Sequence, residues 1–147
     1  MTMKKNDFLN LIDNLSATAK KGRWEFFYDK LADSLYWSKN KVSPETRLKK
    51  LSRETSLYMN PSGAVEGLMI QYFRNNFLAH NENLAKTSIL KSIDKTENGE
   101  QISFGSKKDE LEALFSESVK SDILKDALEA NYTLKDLDKV FRVSVRA

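Results

Sequence analysis

The chain has 147 residues, 40% of them hydrophobic, 10% aromatic and 31% charged. That length and balance suit one globular domain and exclude a disordered tract. No apolar run reaches the roughly 18 residues of a membrane-spanning helix, and the absence of cysteine excludes disulfides, thiolate zinc sites and cysteine nucleophiles. The net charge of +3 is uneven: residues 1–53 carry 12 Lys and Arg against 6 Asp and Glu, whereas residues 54–147 carry 12 against 15. There is one histidine, His80.

The basic start Met1–Asp7 lacks the apolar core and small-residue cleavage site of a secretion signal, which points to a cytoplasmic protein. Phe8, Leu11, Ile12 and Leu15 recur at helical spacing and predict a helix over 5–20. After Gly22, the stripe Trp24, Phe27, Leu31 and Leu35 predicts a second helix over 23–38. Ser43-Pro44-Glu45 has the form of a helix start, with Leu48 and Leu51 as the apolar side of a third helix. Lys49, Lys50 and Arg53 charge that helix and are candidate contacts for RNA. Asn60-Pro61-Ser62 breaks the chain and caps a fourth, strongly apolar helix over 62–79.

A further helix is expected over 82–94, then a polar loop over 95–108 with Asn98-Gly99 at its turn. Short helices follow over 108–117, 119–130 and 134–141. The expectation is therefore one all-α domain over 1–147: a bundle of four to five main helices (about 5–94), the loop, and C-terminal helices over 109–141.

With one His and no Cys, a protein-only metal site is not expected, and no cofactor is called for. The segment Tyr72–Asn81 remains, where His80 ends the apolar fourth helix beside Arg74, Asn75 and Asn76. Arginine binds phosphate through paired donors, and histidine transfers a proton near neutral pH. Those properties suit cleavage of an RNA phosphodiester by its own 2′-hydroxyl. That reaction needs both a proton acceptor and a proton donor, and one histidine per chain supplies one of them. A two-fold homodimer would supply both.

The spacing Arg74-Asn75…His80 resembles the signature of the HEPN superfamily, all-helical domains common among prokaryotic ribonuclease toxins and antiviral proteins. The resemblance implies a helical bundle and a homodimer whose Arg74 and His80 meet in a cleft, supported by Asn75 and Asn76. It also implies metal-independent endoribonuclease activity leaving a cyclic phosphate, with an antitoxin or a nucleotidyltransferase as a possible partner. Two other classes stand beside it. One is a non-catalytic helical interaction dimer, motivated by the aromatic segments 23–38 and 62–79. The other is a DNA-binding regulator, because 123–144 looks like the first part of a helix-turn-helix.

Overall fold

The computed structural model describes residues 7–129; the expected helix 134–141 lies outside them, as does the part of the partial helix-turn-helix beyond residue 129. The fold is α+β, not all-α. A six-stranded sheet of order β3-β4-β5-β2-β1-β6, antiparallel at every pairing, occupies its centre. The strands are β1 (Glu25–Asp29), β2 (Ser34–Ser38), β3 (Arg47–Lys50), β4 (Thr55–Met59), β5 (Val65–Ile70) and β6 (Gln101–Ile102). The helices are α1 (Asp7–Asp13), α2 (Leu15–Gly22), α3 (Glu82–Ala85), α4 (Ile89–Lys95) and α5 (Lys108–Glu129). None of the described helices is long and apolar enough to cross a membrane.

Three expected helices are strands. Over 23–38 the governing period is two: Trp24, Phe26, Tyr28, Leu35 and Trp37 are buried, whereas Leu31 of the apparent helical stripe is 95% exposed in the β1–β2 turn. The third helix is replaced by the β3–β4 hairpin, in which Leu48 stands exposed and Leu57 is buried. The fourth is replaced by β5 and a wide turn. Asn60 caps a hairpin rather than a helix, its Oδ1 accepting from the Ser62 and Ala64 amides. Gly63 completes that turn at φ 89°. Gly67 lies in β5 for a packing reason: a Cβ there would stand 2.2 Å from Ser38 Cβ across the ladder. At the C-terminal side, α5 runs unbroken where two helices were expected.

One sheet face carries the core. Phe26 and Trp37 stack with ring centroids 5.2 Å apart, and Phe115 of α5 meets both edge-on at 5.3 and 5.2 Å. Leu111, Phe115, Val119 and Ile123 repeat at helical spacing and are all buried. The Ser16 and Ser116 hydroxyls, 2.9 Å apart, join α2 to the same helix. Helix α5 is therefore fixed across the sheet, and whatever its other side presents is held in register with the strand ends.

A buried carboxylate locks the two connections at the far side of β5. Glu66 accepts from the Ser43 amide and hydroxyl, the Thr46 hydroxyl and the Asn60 amide group. Burial by itself would raise its pKa, but these donors favour the anion and hold it below the usual carboxylate value. Stability drawn from this clamp is full above the unfolded-state pKa and is lost as pH falls through the depressed folded value. Glu66→Gln is expected to cost about 1–3 kcal/mol at pH 7, with the difference from wild type shrinking below pH ~4. Urea denaturation at the two pH values measures both.

Candidate functional site

The route from β5 to His80 is not a helix continuing from 62. Tyr72 adopts a left-handed conformation (φ 54°), after which Phe73–Phe77 form one π-helical turn and Leu78–His80 a 3-10 turn. Phe73 and Phe77 stack at 5.8 Å, fully buried, and Phe77 reaches Phe115 at 6.1 Å. These rings anchor the inner side of the turn in the core. From outside, Asp33 in the β1–β2 turn accepts from the Arg74 and Asn75 amides and from the Tyr28 phenol. Burial and this acceptor hold the Tyr28 hydroxyl well above its ordinary pKa. A π-helical turn of this kind re-aims side chains and is often found at functional sites.

The turn separates the residues that their spacing had brought together. Arg74 swings away and pairs with Asp94 of α4, Nη2 to Oδ1 at 2.7 Å. Asn75 is held through its backbone to Asp33. Asn76 and His80 point into a different cleft, of about 150 Å³, lined by Arg53, Glu54, Asn76, His80, Asp122, Lys125 and Asp126. Of the expected RNA contacts, Arg53 borders this cleft, whereas Lys49 and Lys50 lie on the edge strand β3.

At the cleft floor, His80 Nε2 lies 2.9 Å from Asp122 Oδ1 and 3.4 Å from Glu54 Oε1. Asn76 Nδ2 donates to Glu54 Oε1 at 2.6 Å, and the Ser52 hydroxyl donates to Asp122 Oδ2 at 3.4 Å. Asp126, one turn beyond Asp122, accepts from the Arg53 amide and pairs with its guanidinium. The β3–β4 turn is thus docked onto α5 by two aspartates at i, i+4 spacing, which places Glu54 opposite His80.

Glu54 is the most perturbed of these groups. Its side chain is 5% exposed, and its Oε2 has no hydrogen-bond partner. Burial, reinforced by the negative charge of Asp122 and opposed by His80, pushes its pKa up to about 7. One donor atom from each of Glu54, His80 and Asp122 lies within 4.8 Å of the others. Imidazole and carboxylate are the ligand types that bind a divalent transition cation at about 2.0–2.2 Å.

Sequence reasoning located His80 and Asn76 but missed Glu54 and Asp122. Both lay among 21 Asp and Glu residues, from which nothing in the sequence selects a pair. For Asp122 a signal was present: it sits one position from Ile123 on a helix whose opposite face is apolar, and it recurs with Asp126 on the polar side. For Glu54 nothing local distinguished it.

Comparison with family models, with curated proteins and with solved structures returns no match.

Proposed function

We propose that the cleft is a divalent-metal-assisted hydrolytic centre acting on a phosphoester, with Glu54, His80 and Asp122 as the ligands. The observation that carries it is that one ligand atom from each of Glu54, His80 and Asp122 lies within 4.8 Å of the others, beside a buried Glu54 Oε2 that accepts no hydrogen bond. A buried carboxylate oxygen without a donor is costly unless a proton or cation meets it. Three protein ligands would leave room for water on a bound divalent ion, which would supply Lewis acidity and lower the pKa of that water toward neutrality. Asn76 and Ser52 act as positioning residues, since they hold the carboxylates that would ligate.

Charge balance favours the cation. Glu54, Asp122 and Asp126 line the cleft against Arg53 and Lys125, so a phosphate entering without metal meets a surplus of carboxylate. With a divalent ion in place, the surplus is reversed. Arg53 and Lys125 at the rim then suit the non-bridging phosphate oxygens. Water activated by such an ion would form the new P–O bond as the bond to the leaving oxygen breaks, that oxygen taking a proton from solvent, and one copy of the chain carries all three ligand residues.

The test is hydrolysis of bis(p-nitrophenyl) phosphate and of labelled RNA after EDTA treatment, with Zn²⁺, Mn²⁺ or Mg²⁺ restored. Metal-restored activity that survives Arg74→Ala supports the centre. RNA cleavage in EDTA that fails equally in Arg74→Ala and His80→Ala overturns it, in favour of the metal-independent Arg74–His80 chemistry.

A further inference from the structure

The sheet has a second face. Pairing puts Phe27 beside Tyr36, Tyr36 beside Met69, Ser38 and Tyr58 on either side of Gly67, and Leu48 beside Tyr58. All of these share the face opposite Phe26 and Trp37. Phe27, Tyr36 and Tyr58 are half-buried there, whereas Trp37 and Leu57 on the core face are fully buried. Across β5 the Tyr36 and Tyr58 rings lie with centroids 6.5 Å apart and planes tilted by 32°.

The border of this face is basic. Strand β3 is an edge strand, Arg47-Leu48-Lys49-Lys50, with Arg47, Leu48 and Lys50 exposed. Lys50 stands on the aromatic face beside Ser56, and Arg47 and Lys49 follow the edge on the other side. Among the described residues none of these three cations forms an ion pair, so their charge is uncompensated. An edge lysine also discourages strand-to-strand aggregation, but that role accounts neither for the exposed Leu48 nor for aromatic rings in the middle of the sheet.

We propose that this face binds a single-stranded nucleic acid, bases on Tyr36 and Tyr58 and phosphates along Lys50 and the β3 edge. Every base has a face that stacks on an aromatic ring, and a basic groove follows a backbone of any sequence. A duplex keeps its bases inside and offers a flat sheet nothing to stack. Strand β3 runs through the Leu51–Glu54 turn to Arg53 and Glu54, so a bound strand leads around the hairpin to the cleft. The binding stands by itself; its being the delivery of substrate rests on the phosphoester reading.

Fluorescence anisotropy in EDTA tests it, with a labelled oligouridylate of about 12 nucleotides and an RNA duplex of equal length, over a series of salt concentrations. The single strand is expected to bind at least ~10-fold tighter than the duplex. Tyr36→Ala and Tyr58→Ala are each expected to weaken it by about 5- to 150-fold, while Tyr58→Phe, which keeps the ring, leaves it unchanged. Arg47→Glu with Lys50→Glu should weaken binding and flatten its salt dependence by roughly 1.4 in log–log slope. Equal binding of duplex and single strand, or indifference to both tyrosines in variants of wild-type melting temperature, overturns the proposal. So does a homodimer that Tyr58→Ala dissociates, since a second copy would then occupy the face. Binding as expected without metal-dependent hydrolysis overturns only the delivery to the cleft.

Discussion

His80→Ala is expected to lower Zn²⁺ or Mn²⁺ affinity at least about 100-fold and to bring metal-dependent hydrolysis to background. Altering a residue that merely orients a ligand already costs about 10- to 100-fold in affinity, and His80 supplies the only nitrogen of the three donors. Calorimetric titration and hydrolysis assays read the two effects separately. Unchanged metal affinity in His80→Ala would remove the centre. The side chain is 32% exposed, bonds to Asp122 and rests on the Phe77 ring at 6.2 Å, so the fold of His80→Ala is checked by its urea midpoint alongside. Glu54→Gln separates function from stability further. The Glu54 pKa rises from 4.5 to about 7 on folding, so the folded chain retains a proton that the unfolded chain releases. Stability in EDTA therefore falls as pH rises through that window, and above it the full penalty of the buried anion persists. Glu54→Gln removes the penalty and is expected to stabilise the protein by about 1–2 kcal/mol at pH 8, with a much smaller change at pH 5. Urea midpoints at both pH values check the sign. A variant that is more stable but no longer binds metal is the mark of a site maintained at a cost to folding.

Phe115→Ala is expected to cost about 3–5 kcal/mol, the largest single loss of stability among these variants. Its ring is fully buried and contacts Phe26, Trp37 and Phe77, so truncation leaves a cavity between sheet, helix and turn. The consequence reaches the cleft, because Phe77 anchors the turn that carries Asn76 and His80. Metal affinity should fall in Phe115→Ala even where the protein remains folded, and Phe115→Leu, which refills most of the volume, should recover most of both. Chemical denaturation with metal titration on the folded fraction measures the coupling. A stability loss below about 1 kcal/mol would show that the cluster does not bear on the turn.

The proposed metal assistance differs from the expectation, drawn from one histidine and no cysteine, that the chain holds no protein-only metal site. Carboxylates with one imidazole form a ligand set suited to a divalent cation that a count of Cys and His does not register. In the proposed site a second titratable group comes from the same chain, since Glu54, its pKa pushed up to about 7, lies 3.4 Å from His80. Arg74 and His80 keep their sequence spacing, yet the π-helical turn sends one toward Asp94 and the other toward Asp122.

What the sequence determined is local. The 3.6-residue period located the segment that forms α1 and α2, expected as one helix over 5–20, together with α4 and most of α5. The same period misled over 23–38 and 62–79. There Phe27, Tyr36 and Met69 make the second face of the strands apolar as well, and a strand apolar on both sides yields helical stripes by coincidence. Only the tertiary structure decided that these segments pair, and only pairing put Glu54 at the mouth of β4 opposite α5. Glu54, His80 and Asp122 lie on three separate elements, joined by strand register and by the packing of Phe77 and Phe115. Period is a property of neighbours along the chain, whereas a site assembled across a sheet edge depends on contacts between distant segments, which no local pattern encodes.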